Sequence, residues 1–405
     1  MIFQGGKGDS AEAPRNLTRG DHIGDHYKIE AAIDEVEGSV ARVYGAQQLR
    51  GEKQQVAFKV LRPEHLELPE KERIEKYEAF NREAELLHLL RNDDRVMDLF
   101  EVGYLWERSN GGAHRYDSRS LGLDVGKFRA LQTEAMTKGW RPYLALRQYP
   151  WSNSLQYLLS KKGRHVRLPM VEAMDLSLQL VDLVVKLHND VELHPYTIVY
   201  WDAKPAHAFW DGKKVTLIDW NVSYPLTPEN RRRAGGGNPD ELKELDLLIL
   251  GRKLIYPAFI GREFQGNPVE SIGTPYGNIV RDLHAFNYNG DVSLHGYEEK
   301  LDGPVRNFLT RVVQSHRFRN AEQLQESLQH CAVQLGWQFG DQKPDNGLAR
   351  SLEHKRKVID HLRTAHISLE SALQELRKFE RDFPGEDTRY LSQKVRELFK
   401  GSDIP

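Results

Sequence analysis

The chain has 405 residues, of which 57 are lysine or arginine and 59 are aspartate or glutamate. This near balance excludes an overall charge that would attract nucleic acid or an anionic membrane, so we expect neither as a partner. The single cysteine, Cys331, excludes an intramolecular disulfide framework and indicates a reducing compartment. Neither a signal segment nor a run of roughly 18 apolar residues is found, which predicts a cytoplasmic protein.

The N-terminal part of the chain shows strand patterns followed by one helix. Residues 1–24 are rich in Gly, Asp, Ser and Pro and predict a flexible leader. The runs HYKIEAAI, SVARVYGAQQL and QQVAFKVLR alternate as half-buried antiparallel strands do. An amphipathic helix follows, whose apolar residues recur at helical spacing at Ile74, Tyr77, Phe80, Ala84 and Leu87.

Beyond this helix the character of the chain changes from strands to helices. The runs VMDLFEVGYLW and RPYLALRQY predict two more strands, and the polar segment 109–140 between them fits no element. After Pro150 the patterns are helical, and PMVEAMDLSLQLVDLVVKLHND is apolar on all sides, which predicts a buried helix. The sequence therefore predicts an α+β protein with a β-rich unit over 25–149 and a helical unit over 150–338.

A separate helical segment is predicted over residues 344–405. Its apolar residues alternate spacings of three and four, as in a coiled coil, and PGED offers a turn into a second helix. Two interpretations stay open for this segment: an arm that binds a partner protein, or a helical hairpin that packs back on the main body.

The stretch VYWDAKPAHAFWDGKKVTLIDWN, residues 199–221, carries the main candidates for chemistry. A loop holds Asp202 and Lys204, Asp211-Gly212 predicts a hairpin turn, and Asp219 follows the second strand. Such a hairpin brings Asp202 and Asp219 to one edge. Phosphoryl transfer needs one carboxylate for the hydroxyl proton, one for a metal ion, and a cation for phosphate charge, which is the set present here.

Residues 200–207, YWDAKPAH, and residues 219–221, DWN, resemble the catalytic loop H-R-D-x-K-P-x-N and the metal motif D-F-G of the protein kinase-like superfamily. The resemblance implies that Asp202 is the catalytic base, that Lys204 contacts the transferred phosphate, and that Asp219 holds Mg²⁺. His207 replaces the asparagine that holds a second metal ion. Since imidazole suits Mn²⁺ or Zn²⁺ better than Mg²⁺, Mn²⁺ is the alternative metal.

Two upstream motifs extend the resemblance to the binding of ATP. VAFKVLR resembles the V-A-I-K strand, which implies that Lys59 contacts the α- and β-phosphates, and NREAELL implies that Glu83 is its ion-pair partner. Of the glycine-rich loop only Gly38 is retained. LRQYPWSNSLQYLL resembles the kinase hinge, with Gln148 and Tyr149 facing adenine.

Downstream, ELDLLILGRKLIY resembles the buried helix whose aspartate, here Asp246, ties down the catalytic-loop backbone. The order and number of these motifs imply a two-lobed protein-kinase-like fold, with a β-rich N-lobe, a helical C-lobe and an added C-terminal helical segment. They also imply an ATP-dependent Ser/Thr protein kinase of divergent bacterial type that acts on a protein hydroxyl.

Two alternatives to a protein kinase stay open. The altered glycine loop and His207 favour a pseudokinase scaffold that binds nucleotide, a partner protein, or both. Asp219 and Asp246 are only 27 positions apart, and the segment between them lacks an A-P-E motif. These features favour a small-molecule kinase of the aminoglycoside or choline kinase type.

Overall fold

The computed structural model divides the chain into two compact units, Met1–Gln148 and Tyr149–Pro405. The residues it describes are 15–33, 40–51, 53–107, 115–160, 167–233, 238–262, 264, 301, 303–314, 317–336, 369–382 and 393. Within these residues, no helix combines the length and the apolar character that crossing a bilayer requires.

The N-terminal unit is built mainly of β-strands. In chain order they are β1 (His22–Ile23), β2 (Tyr27–Ala32), β3 (Ala41–Gln48), β4 (Gln55–Leu61), β5 (Leu99–Glu107), β6 (Arg115–Ser120) and β7 (Arg141–Arg147). They close into a barrel in the order β1-β2-β3-β4-β7-β5-β6. Closure depends on β1, which pairs antiparallel with β2 and parallel with β6.

The closed barrel shows that the prediction of a two-lobed protein-kinase-like fold is wrong, because these strands do not form the sheet of a typical kinase N-lobe. The sequence gives no strand signal for the two strands that close it. β1 has two residues and lies inside the predicted leader, and β6, RYDSRS, lies in the polar segment 109–140. With only five strands visible in the sequence, closure was not foreseeable.

Aromatic side chains fill the barrel. The ring of Phe58 on β4 stacks on Tyr143 of β7, with centroids 4.8 Å apart, and lies 5.4 Å from the ring of Tyr27. Burial, followed by the nearby charge of Glu101, raises the pKa of Tyr143 well above its usual range. The phenol therefore stays neutral and donates a hydrogen bond of 2.6 Å to Glu101 Oε1.

A buried arginine joins three parts of the barrel. The side chain of Arg141, the first residue of β7, donates from Nε to the carbonyl of Leu61 at the end of β4, at 2.7 Å, and from Nη1 to the carbonyl of Arg15, at 3.1 Å. A buried guanidinium keeps its charge, so these backbone acceptors offset part of its desolvation. Arg141 thus connects the segment before β1 to strands β4 and β7 of the barrel.

Among the described residues of this unit, three α-helices accompany the barrel: α1 (Glu70–Leu89), α2 (Val125–Ala130) and α3 (Gln132–Thr137). Of the face predicted for α1, Tyr77, Phe80, Ala84 and Leu87 are buried, whereas Ile74 is exposed. The short helices α2 and α3 belong to the segment 109–140 that the pattern left unassigned.

The C-terminal unit is mainly helical. Its helices are α4 (Leu155–Leu159), α5 (Met170–Asn189), α6 (Pro228–Arg233), α7 (Pro239–Leu250), α8 (Tyr256–Ile260), α9 (Gly303–Val312), α10 (Ala321–Gln334) and α11 (Leu369–Asp382). A π-helical turn, Gly251–Ile255, joins α7 to α8. Two small antiparallel ribbons accompany the helices: β8 (Ile198–Val199) with β11 (Tyr224–Pro225), and β9 (Ala208–Trp210) with β10 (Val215–Leu217).

Helix α5 forms the centre of this unit, as its all-round apolar character predicts, and most of its residues are buried. Its buried Glu172 accepts a hydrogen bond of 2.8 Å from the indole of Trp210, which ties the β9–β10 hairpin to the helix.

The single cysteine, Cys331 on α10, is also buried, and burial raises the pKa of its thiol to about 11.

Only part of the predicted C-terminal segment 344–405 is described. It contains α11, on which Leu376 and Phe379 are buried. The N-terminal part of the predicted seam and the second predicted helix lie outside the described residues, apart from the helical position of Gln393.

The barrel has no room for a side chain at Gly103. A Cβ atom there would lie 2.5 Å from both the carbonyl oxygen of Arg119 and the hydroxyl of Tyr143. We expect Gly103→Ala to lower the free energy of unfolding by about 1–3 kcal/mol, the usual cost of overpacking, measured by urea denaturation. Gly126→Ala on α2 is the matched control, because its Cβ would meet only Asp124 Oδ1, at 3.7 Å; equal effects of the two substitutions would contradict the close packing at Gly103.

Candidate functional site

Asp202, the predicted base, and Asp219, a predicted metal ligand, lie at one end of the β9–β10 hairpin. Trp210 pairs with Val215 next to the turn, and Ala208 pairs with Leu217 at the open end. Asp211 makes the turn by accepting hydrogen bonds from the amides of Lys213 and Lys214, at 2.9 and 2.8 Å. The loop before β9 and the residues after β10 therefore meet, as the hairpin in the sequence predicts.

The backbone at this edge is strained at two residues. Trp201 and Asp219 have φ angles of 55° and 58°, in the left-handed region that few residues other than glycine adopt. Aspartate tolerates this region, but a tryptophan there is uncommon and persists only where its surroundings hold it. Both residues are adjacent to or part of the candidate site.

Asp246 of α7 holds the loop in this conformation. Its Oδ2 accepts from the amide of Tyr200 at 3.0 Å, and its Oδ1 accepts from the amide of Trp201 at 2.7 Å. The carboxylate is almost completely buried, where charge-assisted hydrogen bonds are strong. Asp246 thus ties down the backbone of the loop that carries Asp202, as the resemblance implies, whereas the catalytic role of that loop stays a prediction.

A histidine that no sequence motif singled out also contacts Asp246. His188, near the end of α5, lies with Nε2 at 3.0 Å from Asp246 Oδ2, and its side chain is buried. Its carbonyl accepts from the hydroxyl of Thr197, at 2.9 Å. A histidine in the last turn of a helix that is otherwise apolar was the available signal, because a buried polar side chain needs a partner.

Further hydrogen bonds connect the loop to the end of β10. The hydroxyl of Tyr200 donates to the carbonyl of Ile218 at 2.6 Å, and the amide of Ile218 donates to the carbonyl of His207 at 2.9 Å. The hydroxyl of Ser223 donates to the carbonyl of Tyr200 at 2.8 Å. Trp220 is buried, with its ring 4.7 Å from that of Tyr200. The residues on each side of Asp219 are thus held in place.

His207 lies between the two carboxylates. Its Nδ1 is 3.1 Å from Asp202 Oδ2, and its Nε2 is 3.3 Å from Asp219 Oδ2. The imidazole is about nine-tenths buried, and the side chains of Asp202 and Asp219 are 22% and 26% exposed. One ligand atom from each of the three side chains lies within 4.8 Å of the other two. The structure therefore groups the predicted metal residues Asp219 and His207 with Asp202, the predicted base, as three possible metal ligands.

Lys204 lies beside this cluster. Its Nζ is 3.3 Å from Oδ1 and 3.4 Å from Oδ2 of Asp202, and its side chain is 47% exposed. The ammonium group therefore offsets part of the negative potential of the Asp202 carboxylate, and it remains accessible to a ligand. An exposed ion pair of this kind contributes little to stability. Its main effect is on the electrostatic potential at Asp202.

The predicted ion pair between Lys59 and Glu83 is present in the N-terminal unit. Lys59 on β4 places Nζ 2.9 Å from Oε1 and 2.7 Å from Oε2 of Glu83 on α1, and both side chains are buried. A buried charged pair is held by strong mutual attraction, but both ions lose their hydration. The contact fixes the direction of the lysine side chain.

The other residues predicted to contact the nucleotide are Gln148, Tyr149 and Gly38. Gln148, the last residue of the N-terminal unit, is exposed. Tyr149, the first residue of the C-terminal unit, is partly buried with its ring 5.6 Å from that of Phe209. Gly38 lies outside the described residues. Their contact with adenine or phosphate stays a prediction.

No protein-family model matches the chain, and no curated protein matches it.

Substitution of Asp246 tests its role in holding the loop. An asparagine has one oxygen in place of two, so it cannot accept from the amides of Tyr200 and Trp201 as the carboxylate does. We expect Asp246→Asn to lower the free energy of unfolding by about 1–3 kcal/mol and to speed hydrogen exchange of both amides. Asp240→Asn, at an exposed position of the same helix, is the control; unchanged exchange in Asp246→Asn would contradict the role.

The ion pair in the N-terminal unit gives a double-mutant test. Glu83→Gln leaves the buried Lys59 without its carboxylate, so we expect a loss of about 3–5 kcal/mol of stability, whereas the apolar pair Lys59→Met with Glu83→Leu should recover most of it. Urea denaturation measures both variants. A double variant that is less stable than Glu83→Gln would show that the pair is not the main interaction of these side chains.

Proposed function

We propose that the protein is an ATP-dependent phosphotransferase that transfers phosphate to a protein hydroxyl, of the Ser/Thr protein kinase type in its chemistry. The observation that carries the proposal is the grouping of Asp202, Lys204 and Asp219 at one edge of a hairpin, on a backbone held by buried hydrogen bonds. Phosphoryl transfer depends mainly on such positioning and on electrostatic stabilisation.

In this proposal Asp202 accepts the proton of the attacking hydroxyl. Its carboxylate is partly exposed, so a substrate can reach it, and the amide of Asp202 is held to the carbonyl of Tyr200 at 2.8 Å. Lys204 lies within 3.4 Å of the same carboxylate and carries a positive charge that a transferred phosphate would meet. The base and the cation therefore act next to each other.

The donor chemistry of Asp219 fits a metal-bound nucleotide. A carboxylate oxygen is the ligand that Mg²⁺ prefers, and Asp219 is about one-quarter exposed. When bound, the metal ion would neutralise charge on the nucleotide phosphates. Within the N-terminal unit, Glu83 orients the buried Lys59, whose ammonium group is of the kind that contacts phosphate.

A second candidate function is a scaffold that binds nucleotide or a partner protein without transferring phosphate. One observation favours it: both oxygens of Asp202 already have neighbours, because Lys204 lies near each of them and His207 lies 3.1 Å from Oδ2. A base that is held in this way is less free to accept a substrate proton. The two functions differ in what Asp202 is needed for.

The proposal predicts separate effects of the two carboxylates. With ATP at about 100 times its dissociation constant and a divalent cation, the wild-type protein should gain about 2.7 kcal/mol of stability. Asp202→Asn keeps an oxygen donor at the cation site, so it should keep most of this gain but lower transfer from labelled ATP at least about 100-fold, as expected for loss of a general base. Asp219→Asn should lose most of the gain, and Asp240→Asn, exposed on α7, should match the wild type.

Transfer is measured to the protein itself, to casein and to water, so that the choice of acceptor does not hide the activity. Stabilisation by ATP without transfer to any acceptor would contradict phosphotransfer and support the scaffold. Absence of both would contradict both candidates.

A further inference from the structure

We infer that Asp202, His207 and Asp219 form a site that selects Mn²⁺ and other divalent first-row transition-metal ions over Mg²⁺, and that it binds them without nucleotide. The inference deepens the proposed function at the same site. Binding of a metal ion to the nucleotide-free protein is, however, measurable whether or not phosphate is transferred.

The hydrogen-bonding capacity of His207 is the first argument. A neutral imidazole has one N–H group, but both ring nitrogens of His207 face carboxylate oxygens, at 3.1 and 3.3 Å. With the Nδ1–H group donated to Asp202, the lone pair of Nε2 is directed toward Asp219 Oδ2, 3.3 Å away. A cation between these two atoms would have both of them as ligands.

The contacts at Nδ1 match those of a metal-ligating histidine. Nδ1 lies 3.1 Å from the carboxylate of Asp202 and 3.2 Å from the carbonyl of the same residue. A hydrogen bond from one ring nitrogen to a carboxylate or carbonyl fixes the tautomer and leaves the other nitrogen available to a metal ion. The backbone of His207 is fixed as well, since its amide donates to the carbonyl of Lys204 at 2.9 Å and its carbonyl accepts from Ile218.

The distances between donors are those of ligands around one ion. Adjacent ligands at about 2.1–2.3 Å from a metal ion in octahedral geometry are about 3.0–3.3 Å apart, and Nε2 of His207 lies 3.3 Å from Asp219 Oδ2. An oxygen of Asp202 completes a set whose members all lie within 4.8 Å of one another. Three donors from one preformed edge leave further positions for water or phosphate.

The identity of the donors sets the selectivity. Mg²⁺ prefers oxygen ligands and loses its water reluctantly, whereas imidazole nitrogen suits transition metals. Two carboxylates with one imidazole therefore combine charge for any divalent cation with a nitrogen that favours the transition metals. Asp202, Asp219 and Lys204 carry a summed charge of −1, which further favours a cation.

Metal binding is tested on the full-length, nucleotide-free protein. Titration with Mn²⁺, followed by the loss of the electron paramagnetic resonance signal of the free ion, gives the affinity, and competition by Mg²⁺ gives the selectivity. We expect Mn²⁺ to bind at least about tenfold more tightly than Mg²⁺. Electron spin-echo modulation of bound Mn²⁺ should also show coupling to a ring nitrogen.

The variant His207→Asn replaces the imidazole by an oxygen donor of similar reach. It should weaken Mn²⁺ binding by about 10–100-fold, remove the nitrogen coupling, and bring the affinities for Mn²⁺ and Mg²⁺ close together. His330→Asn, which changes an exposed histidine on α10, should leave all three readouts as in the wild type.

Equal affinities of the wild-type protein for Mn²⁺ and Mg²⁺, or Mn²⁺ binding without nitrogen coupling, would overturn the inference, and neither measurement needs a variant that folds. Such results would leave His207 as a hydrogen-bonding link between the carboxylates. Tight Mn²⁺ binding without phosphate transfer would support the inference and count against the proposed function. Transfer that works equally with Mg²⁺ in a protein without selective Mn²⁺ binding would do the reverse.

Discussion

A buried carboxylate, Asp246, and the two backbone amides that it accepts from determine the geometry of the C-terminal unit around the candidate site. The loop that Asp246 holds contains Trp201, whose backbone has a left-handed conformation. This conformation is strained and persists only because the surrounding contacts hold it. Asp202 follows this tryptophan directly, so the direction of its carboxylate depends on a residue 44 positions away. The side chains of Asp202 and Asp219 are partly exposed, whereas Asp246, which holds the loop, is buried.

Much of this site was predictable because its residues are close together in sequence. Asp202, His207 and Asp219 lie within 18 consecutive residues around one hairpin, and the Asp-Gly turn between two apolar runs is a strong local signal. The roles of Asp246 and of the Lys59–Glu83 pair came only from the resemblance to a known family. Periodicity places such residues on a helix or strand, but it does not tell which distant partner each will meet. His188 was missed for the same reason.

The barrel marks the limit of sequence patterns. Strands β2, β3, β4, β5 and β7 contain alternating or continuous apolar runs and were expected. β1 has two residues, and β6 is almost entirely polar, so neither has a period that could be detected. The pairing that joins them changes an incomplete set of strands into a closed one. The few hydrogen bonds of β1 and β6 thus determine that the barrel is closed. The family resemblance depends on other residues, and the fold that it implied was wrong.

The order of strands in the barrel has a consequence for synthesis of the chain. Strand β7 lies between β4 and β5 and pairs with both, so β5 and β6 reach the earlier strands only through β7 and through the short pairing of β6 with β1. Contacts between residues far apart in sequence form late, because a long loop must close first. On the ribosome, the N-terminal unit therefore cannot complete its barrel until Arg147 has emerged, one residue before the unit ends. The N-terminal unit can then complete its barrel only as the helical unit begins to appear.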